Sequence, residues 1–231
     1  MFVYEILIEN ILYPLAENNI HWLKTIWINF LILPFSIAYK FPIIIYKNVN
    51  ICEIRRGGIV FCSPIKVGLL QIGRHGVGTI DLKKSRTMLE ISGTLMVLGK
   101  ASIGSGSKIS IATNAVLTLG DDFLMTGRSS IICQKAISFG EHCLLSWDIL
   151  IMDTDFHEIL NQEDEIINLP KPIHIGTHVW IGCRTTILKG VDIADNTIIA
   201  ACSTISCNVS KSNVIYGDNG RILKEGVRWL R

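Results

Sequence analysis

The chain has 231 residues, with 22 basic and 20 acidic side chains that leave a net charge of +2 at pH 7. This balance lacks the excess of basic residues that nucleic-acid binding requires, so we expect no nucleic-acid partner. The composition is apolar, with 49% hydrophobic residues and a mean hydropathy of +0.40, which predicts a repetitive buried interior or a surface that contacts a membrane.

Residues 1–45 are predicted to form a short apolar, partly helical segment. The chain begins with MFVYEILIEN, which has an acidic residue where a signal peptide carries basic ones and lacks a small-residue cleavage site. Residues 25–39 run without charge, but a spanning helix needs about 20 apolar residues. The segment therefore either packs on the main domain or a partner subunit, or lies in the membrane interface with Lys24, Lys40 and Lys47 near the headgroups.

The second region, residues 46–215, carries a repeat with a period of six. Counted from Ile175, an aliphatic residue returns at every sixth position, and a small residue follows it at four of these six places. The six aliphatic positions are Ile175, Ile181, Ile187, Ile193, Ile199 and Ile205. The same template appears upstream, from Val97 to Ile151, with small shifts of phase. A period of six fits neither an α-helix nor a simple strand, and it predicts a parallel β-helix whose coils stack.

The repeat is interrupted between Ile151 and Ile175. The intervening residues are rich in charge and lack the template, which predicts a loop, residues 153–172, extruded from an otherwise continuous coil. Long insertions on rigid scaffolds are often functional. Residues 216–231 are predicted to be a terminal tail.

The seven cysteines form no C-x-x-C pair and no zinc-ligand spacing. We therefore expect reduced thiols in a cytosolic protein and no metal site.

The stretch HIGTHVWIGCRTTILKGVDIADNTIIAACSTI, followed by YGDNGRILK, resembles the hexapeptide-repeat acyltransferases. Within them it is similar to sugar and polysaccharide O-acetyltransferases such as the maltose and galactoside enzymes. The resemblance implies an all-β, left-handed parallel β-helix, a homotrimer with active sites between neighbouring subunits, and acetyl-CoA as the acyl donor.

The resemblance also places the catalytic base at the root of the extruded loop, where this chain has His157 in DTDFHEI. A sugar hydroxyl attacks a thioester poorly unless its proton is removed, and an imidazole can accept that proton near neutral pH. We expect the flanking Asp153 and Asp155 to orient the ring. A zinc site built from His157, His174 and His178 is the alternative, but their spacing is not that of a β-helix carbonic anhydrase.

Further positions match the donor-binding residues of the family. The predicted coenzyme A contacts are Trp180, Cys183, Ala201, Ser206, Arg221 and Lys224. The sequence departs from the family in having GDNG at 217–220, where GNPA is usual. It also has Arg128 near the place of an acceptor-binding asparagine, which suggests an anionic or larger glycan acceptor.

These features predict an acetyl-CoA-dependent O-acetyltransferase for a sugar hydroxyl, in a surface-polysaccharide precursor. We expect a cytoplasmic protein, located at the inner face of the membrane if the acceptor is lipid-linked and the apolar N-terminal segment makes peripheral membrane contact. Two alternatives remain, N-acetylation of an amino sugar and a non-catalytic β-helix that serves as an assembly scaffold.

Overall fold

The computed structural model of the chain describes residues 19–74 and 77–230. The MFVYEILIEN stretch used in the signal-peptide argument lies outside these residues. Within the described residues, two helices, α1 (Trp22–Ile32) and α2 (Phe35–Ala38), precede the strands. The chain then passes repeatedly through three sheets in the same order.

Each sheet gathers every third strand of the chain until the winding ends. Sheet 1 contains β1 (Ile43–Ile45), β4 (Leu70–Arg74), β7 (Ala101–Gly104), β10 (Phe123–Gly127), β13 (Leu144–Trp147), β16 (Trp180–Ile181), β19 (Ile198–Ile199), β21 (Val214–Tyr216) and β22 (Ile222–Glu225). Sheet 2 contains β2 (Val49–Ile54), β5 (Thr87–Ile91), β8 (Lys108–Ile111), β11 (Ser130–Cys133), β14 (Leu150–Met152), β17 (Thr186–Ile187) and β20 (Thr204–Ile205). Sheet 3 contains β3 (Ile59–Phe61), β6 (Thr94–Val97), β9 (Val116–Leu119), β12 (Ala136–Phe139), β15 (Ile173–Ile175) and β18 (Asp192–Ile193).

The hexapeptide aliphatics stack on one another inside the coil. In sheet 1, Ile103 pairs with Met125, Met125 with Leu145, Leu145 with Ile181, and Ile181 with Ile199. All five side chains are fully buried and belong to one core. The neighbouring residues of each strand point outward because side chains alternate along a strand. The predicted all-β class and the parallel winding of a hexapeptide repeat are therefore confirmed.

The small residues of the repeat let successive coils approach closely. At Gly120, a Cβ atom would overlap the carbonyl group of Gly140 on the next coil. A larger residue there would push the two coils apart, so the small position of the hexapeptide is a packing requirement.

The helix α1 covers the open end of the coil. Its Thr25 hydroxyl accepts a hydrogen bond from the Ile45 N–H at 3.0 Å and donates to the Ile45 carbonyl. The Asn29 side chain likewise accepts from the Ile43 N–H and donates to the Ile43 carbonyl at 2.7 Å. These polar groups of the helix satisfy edge groups of β1 that would otherwise lack partners. Within residues 19–74 and 77–230, no helix has the length and hydropathy needed to cross a membrane.

The other end of the coil is closed by the C-terminal residues. The strand β22 pairs antiparallel with β21, and a short 3-10 helix, Asp218–Gly220, connects them. Trp229 then packs against the corner between sheets 3 and 1, where its ring stacks on His178 at 4.3 Å.

Candidate functional site

The segment of residues 153–172 leaves the coil at the corner between sheet 2 and sheet 3. It follows β14 and returns to the coil at β15. Inside the segment the chain folds back on itself, because Leu160 bridges Ile166 and the Ile167 N–H donates to the Ile159 carbonyl at 2.9 Å. Most of its side chains are exposed. The segment is therefore an outward excursion from a coil that otherwise continues through the same corner.

Asp153 holds the root of this segment. Its carboxylate is fully buried and accepts hydrogen bonds from the backbone N–H groups of Gln134, Lys135 and Ala136 at 2.7 to 2.9 Å. These donors belong to the preceding coil, so Asp153 fixes the point where the chain departs. We expected Asp153 to orient the ring of His157; its hydrogen bonds in the structure go to backbone groups instead.

A second cluster holds the backbone of His157. The side-chain amide of Asn168 donates to the His157 carbonyl at 2.8 Å and to the Asp155 carboxylate at 2.9 Å, and its oxygen accepts from the Ile159 N–H at 2.7 Å. The Lys189 ammonium donates to the Asp155 carboxylate and to the Asn168 carbonyl. The hydrogen bond from Lys189 lowers the pKa of Asp155 below its usual value, with a further contribution from Asn168, which keeps this carboxylate ionised. We name Asp155, Asn168 and Lys189 the clamp.

The clamp leaves the imidazole of His157 on the surface. The residue is exposed, and its backbone N–H donates to the backbone carbonyl of Asp155 at 2.8 Å. In the part of the chain that the structure describes, no hydrogen bond is made by either ring nitrogen. The ring is thus placed by its backbone and is available to an external group.

Asn168 and Lys189 were not found by the sequence analysis. Asn168 lies in a stretch without any repeat, and Lys189 occupies a position two residues after Ile187 where the hexapeptide allows any outward side chain. No spacing or motif marks either residue, so only the folded chain shows that they meet at Asp155.

Trp180 is not on the same side of the coil as His157. Its neighbour Ile181 is buried in the core, so Trp180 lies on the outer face of sheet 1, where its indole N–H donates to the Ser146 hydroxyl at 3.1 Å. In a coil with three faces, the corner between sheets 2 and 3 lies opposite sheet 1. Within one chain these two predicted site residues are therefore separated by the core.

The predicted coenzyme A positions fall into two groups. Cys183 and Ala201 lie on adjacent coils at the corner between sheets 1 and 2, where the Cys202 N–H donates to the Cys183 carbonyl. Ser206 lies beyond the end of sheet 2, and its hydroxyl donates to the Asn219 side chain at 3.0 Å. Arg221 and Lys224 are exposed and follow the turn at residues 217–220.

The GDNG turn has a structural role of its own. The Asp218 carboxylate accepts a hydrogen bond from the Thr204 N–H at 2.7 Å, so it covers the edge of β20, the last strand of sheet 2. Asn219 adopts a φ of 51°, in the left-handed region that asparagine tolerates better than most residues. This turn, found where the resemblance implied GNPA, is therefore docked on the end of sheet 2 and leads directly into Arg221.

Arg128, predicted to contact an acceptor, forms an ion pair with Asp148 at 2.6 Å at the corner between sheets 1 and 2. Its charge is thus balanced by a carboxylate of the same chain.

A groove of about 240 Å³ lies on the outer face of sheet 2. It is lined by residues that include Met88, Glu90, Ser110 and Ile132.

Two buried cysteines, Cys133 and Cys143, and the ring of His174 make hydrogen bonds within the coil. All seven cysteines are free thiols. Burial raises the pKa of the Cys133 thiol to about 12, with the Asp153 charge as a further cause, and raises that of Cys143 to about 11. The His174 ring contacts the Ser138 hydroxyl at 2.8 Å. Among residues 19–74 and 77–230, no three His, Cys, Asp or Glu side chains are grouped as metal ligands.

Three parallel sheets wound from a hexapeptide repeat define the architecture as that of a parallel β-helix. Residues 172–207 match the model of the family described as bacterial transferase hexapeptide (six repeats). This stretch extends over β15 to β20, directly after the 153–172 segment. Residues 172–207 therefore carry the hexapeptide repeat, as the resemblance implied.

The chain is also similar to characterised transferases. It is 39% identical over 85 residues to polysialic acid O-acetyltransferase of Neisseria meningitidis, which covers 36% of this chain and 37% of that protein. It is 28% identical over 109 residues to galactoside O-acetyltransferase of Escherichia coli K12, covering 46% of this chain and 53% of that protein. The matches thus span about a third to a half of these curated relatives.

A solved structure of galactoside acetyltransferase in complex with coenzyme A is also similar. Its TM-score is 0.44 at 21% identity, and the match covers 55% of this chain and 68% of that chain. The curated proteins that this chain resembles in part thus include O-acetyltransferases.

Proposed function

We propose that the protein is an acetyl-CoA-dependent O-acetyltransferase that uses His157 as the general base to acetylate a sugar hydroxyl of a surface-polysaccharide precursor. The observation that carries the proposal is the clamp, which fixes the backbone of His157 while its imidazole remains open to an external hydroxyl. The similarity to O-acetyltransferases of polysialic acid and galactosides supports a sugar acceptor.

The proposed reaction needs only one proton acceptor. A ring nitrogen of His157 takes the proton of the hydroxyl as its oxygen attacks the carbonyl carbon of the thioester. The resulting tetrahedral intermediate expels the thiolate, to which the imidazolium returns the proton, so that an ester and a free thiol are formed. Asp155, held ionised by Lys189, is proposed to act by fixing the backbone next to His157 and not by contact with the ring.

The site is proposed to be completed by a second subunit. Since Trp180 lies on the face opposite to the corner that carries His157, the two residues can border one site only if they come from neighbouring chains. A homotrimer, with coils wound left-handed as in the family, provides such a seam for each His157. In this arrangement Trp180, Cys183, Ala201 and Ser206 line the pantetheine arm, while Arg221 and Lys224 bind the nucleotide phosphates.

The first experiment measures thiol release from acetyl-CoA with a panel of sugars and oligosaccharides. We expect His157→Ala to lower kcat by a factor of about 10² to 10⁴, the usual contribution of a general base. The control is His142→Ala, because His142 is an exposed histidine that faces Asp122 at the corner between sheets 3 and 1. A His157→Ala protein as active as the unchanged chain would refute the assignment.

The same assay separates the remaining questions. An acetyl product that mild base removes is an ester, whereas a stable product is the amide expected from N-acetylation. Inactive His157→Ala and Trp180→Ala chains, refolded together, should recover activity if one subunit supplies the base and its neighbour the tryptophan. The Arg128→Ala variant tests whether Arg128 affects the Michaelis constant for the acceptor.

A further inference from the structure

The outward face of the helical cap, α1 and α2, is apolar over its whole length. Two adjacent rows with a spacing of four residues run along α1, and α2 with its next residue continues them. The exposed side chains are Trp22, Ile26, Phe30, Leu23, Trp27, Leu31, Phe35 and Tyr39. Leu23 is 77% exposed and Phe35 is 74% exposed, so these residues are not covered by the coil. A contiguous apolar patch of this kind marks an interaction surface.

The polarity of α1 is the reverse of that of a helix on a water-soluble domain. Such a helix turns its polar side chains to solvent and its apolar ones to the core. In α1 the polar Thr25 and Asn29 are fully buried, because they bond the edge of β1, whereas the tryptophans face outward. The helix thus fits an apolar medium on the side away from the coil.

The composition of the face points to a bilayer surface. Trp22, Trp27 and Tyr39 combine an apolar ring with one polar group, and such side chains are enriched at the boundary between lipid and water. The rings of Phe30 and Phe35 lie 5.9 Å apart, so the aromatic surface is continuous from α1 to α2.

The charges around the face favour anionic lipid. Residues 19–52 contain no aspartate or glutamate, and they include the exposed Lys40 and Lys47, whereas the Lys24 ammonium donates to the Val49 carbonyl of the coil at 2.6 Å. The Lys40 ammonium lies 5.8 Å from the centre of the Tyr39 ring, at the margin of the apolar face. Lysine near a membrane surface is attracted to negatively charged headgroups. Pairing with a second copy through this face is less favourable, because two-fold symmetry would bring the same lysines together.

We propose that the outward face of α1 and α2 docks on the surface of a bilayer that contains anionic lipids. The helix lies in the plane of the interface, and the coils stack away from the membrane because α1 covers the end of the coil. Docking requires no acetyl transfer, so the test of this surface is independent of the proposed enzymatic activity.

The experiment is flotation of the full chain with vesicles of phosphatidylcholine, alone or mixed with phosphatidylglycerol. We expect binding to the mixed vesicles that decreases with added salt. The double substitution Leu23→Glu and Trp27→Glu should weaken binding by at least about tenfold, since it places two negative charges at the interface. Leu98→Glu is the matched control, because Leu98 is a 40% exposed leucine outside the helices. Lys40→Glu should lower binding to the mixed vesicles without altering the apolar face.

Two outcomes would overturn the proposal. One is a full chain that stays with the unbound protein in the presence of phosphatidylglycerol vesicles. The other is equal flotation of the folded double variant and the Leu98→Glu control. If light scattering then showed a lower mass in solution for the double variant than for the unchanged chain, the face would be a contact between copies of the chain.

Discussion

The stacked coils and the 153–172 segment are held together in different ways. In the coils, each sixth residue is an aliphatic side chain that is buried between two equivalent residues, as Ile181 is between Leu145 and Ile199. In the segment, apolar residues such as Ile167 and Leu169 are exposed, and the backbone is fixed by Asp153 at its root and by the clamp.

This difference separates stability from activity. Burial of an aliphatic side chain stabilises a fold by roughly 1.5–3 kcal/mol relative to its exposure, and the coils repeat that contribution many times. A surface cluster of three polar side chains contributes far less to stability but determines where an imidazole lies. We therefore expect changes in the coils to reduce stability, and changes in the clamp to reduce activity.

The largest expected effect concerns the boundary between the two regions. Cys133 ends β11 in the coil, beside Asp153 at the root of the segment, and burial raises its pKa from 9.0 to about 12. Because the thiolate is the reactive form, this shift lowers reactivity at pH 8 by about three powers of ten. Iodoacetamide labelling followed by mass spectrometry should modify the exposed Cys202 at least about a thousand times faster than Cys133. Equal rates would mean that the root of the segment opens.

The second effect compares two isoleucines. Ile181→Ala removes a fully buried side chain from the stack in sheet 1, and we expect it to lower the free energy of unfolding by about 2–5 kcal/mol. Ile167→Ala is the matched control, because Ile167 is 59% exposed in the segment, and we expect a change within about 0.5 kcal/mol. Denaturant unfolding of both variants measures the difference. Similar losses would show that the segment packs as the coils do.

The periodic part of the molecule could be predicted from sequence because its physics is local and repeated. The position of Ile175 in the period of six fixes which side chain of β15 faces the core, and the same rule holds at Ile181 and Ile199. The break in that period likewise located the segment that carries His157.

The supporting contacts could not be predicted because they join residues without a common pattern. Asn168 reaches back 11 residues to His157, and Lys189 reaches back 34 residues to Asp155. Asp153 shows the limit in another way, since its place beside His157 in sequence suggested a contact with the ring. The buried carboxylate bonds the backbone of the previous coil instead. The polar residues of α1 had the same character, since nothing in the sequence indicated that Asn29 would bond β1.

The smallest effect, and the one that most directly separates the two regions, is expected at Asn168. Replacing it with alanine removes the donors to the His157 carbonyl and the Asp155 carboxylate; because these groups are exposed, water replaces the lost partner at little cost to stability. The backbone of His157 is then less well fixed, so we expect kcat for acetyl transfer to fall about tenfold, while the Michaelis constant for acetyl-CoA and the unfolding midpoint stay unchanged. Asn161→Ala is the matched control. Asn161 orders the tip of the same segment by accepting hydrogen bonds from the N–H groups of Glu163 and Glu165, and none of its hydrogen bonds goes to the clamp.

If both variants lost activity equally, general order in the segment would matter, and the clamp would have no specific role in placing the base. If Asn168→Ala lowered the unfolding midpoint as Ile181→Ala does, the segment would be part of the stabilising core, and the division between the two regions would be wrong.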